Sequence, residues 1–249
     1  MVHRMNDYPA ESEFRLRRRP HGGPPLVLVG GLALGLFLGG LVVTAVLGGV
    51  TPSPFGPAES VAGYYREHAL AAQAGAVFLF ASAVPLLIYA STASARLRHL
   101  GITAPGATIA LAGGVVASAS LSLSGMLSWT LSRADVASDT ALVRALSTLS
   151  FLVGGPGHVV PLGLLLAGIA VPSLIVRLLP RPVAWAGLII AAVAELSTLA
   201  MVFAPLDILL PIARFPALIW LVIAGVLLPK QRANARAARA GAATTAAPR

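Results

Sequence analysis

Apolar residues run along this chain in long blocks, and polar residues collect between the blocks instead of alternating within them. A bilayer core is crossed by about 20 residues of helix at 1.5 Å per residue. The blocks predict six such helices at roughly 25–49, 68–94, 104–131, 141–177, 182–204 and 206–228. Punctuation supports these limits. Thr51-Pro-Ser-Pro-Phe-Gly-Pro57 cannot continue a helix, because proline removes an amide donor and fixes φ. Pro105, Pro182 and Pro205 stand near other boundaries, and Pro229 follows the last block. Only Ala204, Pro205 and Leu206 separate the fifth and sixth helices, which predicts a tight hairpin. The first apolar run exceeds the roughly 7–15 residues of a signal-peptide core and reads as a persistent anchor.

Composition agrees with the pattern. Hydrophobic residues make up 57% and charged residues 11% of the 249 positions, against roughly a quarter charged in ordinary soluble domains. Helices apolar on every face need burial on every face, which a bilayer supplies and a soluble core of this size does not. The expected fold is an all-α polytopic transmembrane bundle of about six spans. Cysteine is absent, which excludes disulfides, thiolate metal sites and a catalytic thiol. Lys230 is the single lysine among many arginines, and alanine and glycine abound, a usage suggesting a GC-rich bacterial genome and a bacterial cytoplasmic membrane.

The net charge of +9 sets orientation more than partner choice. With the N-terminus inside, fourteen of the eighteen basic residues fall on inner segments: Arg4 to Arg19, Arg96 and Arg98, Arg177 and Arg181, and Lys230 to Arg249. The outer segments hold Arg66, Arg133 and Arg144 beside Glu59, Glu67, Asp135, Asp139 and Asp207. Both termini are therefore expected to be cytoplasmic. The chain divides into a basic tail over 1–24, a six-helix domain over 25–229 and a basic tail over 230–249. The last tail can continue along the anionic inner leaflet before a disordered end, and no nucleic-acid partner is expected.

Small residues carry a packing signal. Gly31, Gly35 and Gly39 recur every four residues and allow another helix to approach closely, either within the bundle or across a homodimer. Five serines between Ser118 and Ser128 alternate along the third helix, and of these Ser124 and Ser128 share a face.

Ionisable groups at membrane depth are costly and are functional-site hypotheses by default. Glu195 lies ten residues before Pro205 and Arg214 nine after it, so both sit about 14–15 Å below the turn, at matched depth for an ion pair. His158 lies in Gly154-Gly-Pro-Gly-His-Val-Val-Pro161, where a regular helix is unexpected and irregular backbone can line a cavity. Gln73, Ser124 and Ser128 fall at similar height, with Asp207 near the outer surface. These residues predict a polar cavity in the outer half of the bundle, with Glu195 and Arg214 as a charged floor, His158 as a polar wall and Asp207 at the mouth. The plainer alternative makes the Glu–Arg pair a register device and His158 a partner for a carbonyl freed at the Gly-Pro break. No cofactor fingerprint, metal-ligand motif or nucleophile elbow is present.

Ser82-Ala-Val-Pro-Leu-Leu-Ile-Tyr-Ala90, Gly154-Gly-Pro-Gly-His-Val-Val-Pro-Leu-Gly163 and Pro211-Ile-Ala-Arg-Phe-Pro216 resemble uncharacterised six-helix membrane proteins, mostly actinobacterial. The resemblance spans residues 26–228 and implies a fold without an activity. Three functional expectations follow. The first is a bilayer protein that binds or passes a small-molecule or lipid-like ligand. The second is an accessory or assembly subunit docking a partner membrane protein, and the third is an intramembrane enzyme.

Overall fold

The computed structural model describes residues 23–102 and 104–229; both basic tails, apart from residues 23 and 24, lie outside the described residues, as does the expected course of the C-terminal tail. Nine α-helices form among them, with two short 3-10 segments and no strand. They are α1 (Leu26–Gly48), α2 (Ala58–Glu67), α3 (Ala69–His99), α4 (Gly106–Leu131), α5 (Ala134–Ala137), α6 (Thr140–Gly154), α7 (Pro156–Val176), α8 (Arg181–Leu196) and α9 (Leu209–Leu227). Among the described residues six stretches are long and apolar enough to cross a membrane: Leu26–Gly48, Ala69–His99, Gly106–Leu131, Thr140–Val176, Arg181–Met201 and Ala204–Leu227. The expected all-α bundle of six spans is the observed one.

Local chemistry explains the helix ends. Pro25 precedes α1, and Gly49 closes it with φ at 69°, a left-handed angle that favours glycine. Asp139 caps α6 by accepting hydrogen bonds from the Ala141 and Leu142 amides at 2.9 and 3.0 Å. Arg177 ends α7 in the left-handed region, and the Leu178 amide reaches back to the Ser173 carbonyl at 3.0 Å. α3 runs about five residues beyond its expected end, because Arg96, Arg98 and His99 suit the negative end of a helix dipole.

Two elements depart from expectation. Residues 58–67, which fall between the expected first and second spans, form the amphipathic helix α2, which buries Val61, Ala62, Tyr64 and Tyr65. The tight hairpin between the last two spans is instead a broader turn. α8 ends at Leu196, and 3-10 segments over Ser197–Met201 and Ala204–Ile208 lead to α9. The Ser197 hydroxyl donates to the Ala194 carbonyl at 2.6 Å, a back-bond that competes with helix continuation.

Six columns close into a ring in the order α1, α3, α4, α7, α8, α9 and back to α1, with α6 continuing the α7 column beyond a break. Glycines set the closest approaches. A Cβ on Gly113 of α4 would lie 2.6 Å from the Pro161 carbonyl oxygen of α7, and one on Gly225 of α9 would lie 2.9 Å from the Val27 amide of α1. The half of the ring nearer the α3–α4 turn is filled by Leu86, Tyr89, Leu165, Leu166, Ile169 and Leu221. Tyr89 also donates from its hydroxyl to the Leu221 carbonyl at 2.6 Å. The opposite half, outer in the orientation set by the basic residues, is incompletely filled.

Candidate functional site

The break between α6 and α7 creates the site. Gly155 interrupts the helix between Gly154 and Pro156, and a Cβ there would stand 2.6 Å from the Phe151 carbonyl oxygen. The irregularity expected around His158 is thus confined to one residue, and the helix resumes at Pro156 because proline suits a first helical position. The His158 amide bonds the Gly155 carbonyl at 3.1 Å, which leaves the Gly154 carbonyl without its usual helical donor. Above the break α6 leans on α4, α2 and α5. A gap opens toward α1 and α9, a cavity of about 720 Å³.

Arg214 stands in the wall of this cavity. Its guanidinium donates through Nη2 to the freed Gly154 carbonyl, so α9 supplies the cap that α6 lacks. The same group lies 5.5 Å from the centre of the Phe37 ring, a cation–π contact with α1. Phe37 in turn meets Phe215 edge to face, with ring centres 6.0 Å apart. The Nε of Arg214 is buried and has no hydrogen-bond partner. Among the described residues the single ion pair joins Arg66 to Glu59, so no carboxylate neutralises Arg214 directly.

Serines form the wall opposite α1. Ser124 donates to the Ser150 carbonyl at 3.0 Å, and the Ser128 and Ser150 hydroxyls lie 3.1 Å apart. Ser147 lines the same face three residues before Ser150 and bonds the Arg144 carbonyl. Tyr64, Tyr65 and Thr51 lie toward the α2 end, with the Thr51 hydroxyl 3.3 Å from that of Tyr64. Burial, with Tyr64 alongside, pushes the Tyr65 hydroxyl up to about 12, so it remains a neutral donor near physiological pH. Asp207 lines the cavity and also a smaller neighbouring pocket, and its Oδ1 is buried without a partner.

Of the residues singled out in the sequence, the structure brings Arg214, Ser124, Ser128 and Asp207 to one cavity. Gln73 is exposed on a different face of α3 from the lining residues Ala72, Gly75 and Ala76. Glu195 is exposed in the last turn of α8, with its carboxylate near Gly163 of α7, and makes no ion pair with Arg214. Matched depth did not produce contact because the two side chains leave their helices in different directions. His158 is 0% exposed and stands outside the lining, with Nδ1 2.9 Å from the Ala117 carbonyl oxygen. A carbonyl only accepts, so Nδ1 carries the proton of the neutral ring, while Nε2 is left buried without a partner. Among the described residues no group of three or more histidines, aspartates and glutamates could hold a metal ion.

The expected glycine face also shifts. A Cβ on Gly31 or Gly35 would meet nothing within 4 Å, and one on Gly39 would touch only Phe78. Packing within the chain falls to Gly30 and Gly40, which a 3.6-residue period places on the face of buried Ala33 and Phe37. The sequence reading missed Ser147 and Ser150, whose spacing of three residues along α6 was a legible polar face.

Comparison of the chain with models of protein families, with curated proteins and with solved structures finds no match.

Proposed function

We propose that this multi-pass membrane protein binds, or passes, a small or lipid-like ligand in the cavity beside Arg214. The observation carrying this reading is an unneutralised guanidinium in the wall of a cavity of about 720 Å³. Ligand sites of roughly 300–1,000 Å³, largely apolar with a few convergent polar groups, are the usual form for small molecules. An Arg214 that only capped Gly154 would not need an unfilled volume beside it. The bacterial cytoplasmic membrane is the proposed location, on the distribution of arginines.

Ser128→Phe tests the reading, because Ser128 is half-buried at the cavity wall and a ring there fills ligand space. Mass spectrometry of the gently solubilised protein is expected to find a molecule retained by the wild type and lost from a folded Ser128→Phe variant. Identical contents in both, with no molecule held above the bulk lipid level, would remove the proposal.

A second reading, docking of a partner or a second copy, is favoured by the uncovered Gly31 and Gly35 face. It requires Gly35→Leu to abolish an association seen with the wild type. The third reading, an intramembrane enzyme using His158, gains no support from a ring that bonds Ala117 and stands outside the cavity lining.

A further inference from the structure

Resting on that reading of the cavity, we propose that its ligand is a phospholipid: the phosphate head lies beside Arg214 and the hydrocarbon leaves sideways between α1 and α9.

The charge argument comes first. Arg214 uses one N–H on Gly154, and its Nε is buried without an acceptor. A cation at this depth that pairs with no carboxylate among the described residues is complementary to an oxyanion that presents more than one oxygen, and arginine's planar fork suits phosphate. The Ser128, Ser150 and Tyr65 hydroxyls add neutral polar groups within the same lining. Asp207 shapes the other end. It precedes Arg214 by seven residues, lies in the 3-10 segment that leads into α9, and lines the same cavity. Its unpartnered Oδ1 repels an anion and accepts a hydrogen bond from an ammonium or hydroxyl group. A phosphate together with such a donor is the head group of phosphatidylethanolamine or phosphatidylglycerol.

The path for the hydrocarbon comes from the rim. α1 and α9 are in close contact at their inner ends, where Gly225 meets Val27 and Leu26, and they remain linked at Phe37 and Phe215. Beyond that pair the lining includes Leu41 at 46% exposure, Val50 at 93%, and exposed Ala45 and Pro211. A rim of exposed apolar side chains on two membrane-spanning helices and the residues just after α1 borders hydrocarbon more favourably than water. A dissolved anion would gain nothing from that rim, whereas an acyl chain would.

The test uses the full-length protein in detergent with three probes: phosphatidylethanolamine, phosphatidylcholine and inorganic phosphate. Binding is read by native mass spectrometry for the lipids and by equilibrium dialysis for phosphate. Phosphatidylethanolamine is expected to bind at least tenfold better than phosphatidylcholine, whose choline offers no donor to Asp207, and phosphate is expected not to bind. Arg214→Gln should reduce phosphatidylethanolamine retention at least tenfold. Ala45→Trp leaves Arg214 and its cap intact, narrows the α1–α9 opening and should do the same, which keeps the proposal testable if Arg214→Gln misfolds. Arg214-dependent phosphate binding unaffected by Ala45→Trp would assign the site to a free anion and overturn the lipid. A neutral molecule lost from Ser128→Phe but held equally by Arg214→Gln would overturn the phospholipid and leave the broader ligand reading standing. Retention of nothing specific would overturn both.

Discussion

Arg214 and Glu195 show how differently two charges can be treated at similar depth. Arg214 is met by a carbonyl released at a helix break and by the face of Phe37, so its structural role is explained before any ligand is considered. Glu195 has no comparable setting. It is exposed on the bundle surface near the end of α8, and its charge contributes to no ion pair among the described residues. Glu195→Gln is therefore expected to leave cavity binding within twofold of wild type. Stability in detergent should hold level or rise, because the substitution removes an ionisable group from an apolar surround. Parallel lipid-retention and thermal-denaturation measurements check this, and a clear loss of binding would mean that Glu195 reaches the ligand from outside the cavity.

At the scale of elements, α2 covers the outer end through both apolar and polar contacts. Val61, Tyr64 and Tyr65 join Leu131, Ala137 and Val143 in a small separate core. On its solvent side Glu59 pairs with Arg66 and accepts from the Thr140 hydroxyl at 3.1 Å, linking α2 to α6. The Arg66 and Thr140 hydrogen bonds, with the Arg66 charge, hold the Glu59 carboxyl below its ordinary range. A carboxyl lowered in the folded state adds stability that is present above its unfolded pKa and is lost as pH falls through the lowered value. The pair is solvent-exposed, so the effect should be small. Amide exchange over 58–67 should therefore rise modestly on acidification in the wild type and remain flatter in Glu59→Gln. Equal acid sensitivity in both would assign the pH dependence to another group.

The whole bundle combines a tightly closed half with an open one. Gly113 faces the backbone of α7, with the Pro161 oxygen, Leu164 Cβ and Leu165 amide all within 2.7 Å of where a Cβ would stand. A Cβ on Gly35 of α1 would meet nothing within 4 Å. Gly113→Leu should destabilise the protein by about 1–3 kcal/mol, the usual range for overpacking, or prevent folding. Gly35→Leu should leave the melting temperature of the monomer unchanged. Similar losses in both variants would mean that Gly35 is covered in the solubilised protein. The closed half fixes the relative positions of α1 and α9, and the interrupted α6–α7 column leaves the outer space unfilled.

The sequence by itself determined the six spans, because long apolar blocks and prolines act locally and need no partner. It also marked the Gly-Pro break and named Arg214, Ser124, Ser128 and Asp207, since polar groups inside apolar blocks are conspicuous wherever the helix points. It could not determine which groups meet. Depth follows from counting residues along one axis, whereas contact depends on the rotation of each helix, and that is set by close glycine approaches such as Gly113 to Pro161 and Gly225 to Val27. Hence Glu195 and Gln73 shared a height with the cavity but not a face, and His158 turned to Ala117. The tertiary structure alone decided that Arg214 would cap α6, because only folding brings Gly154 to a guanidinium sixty residues away.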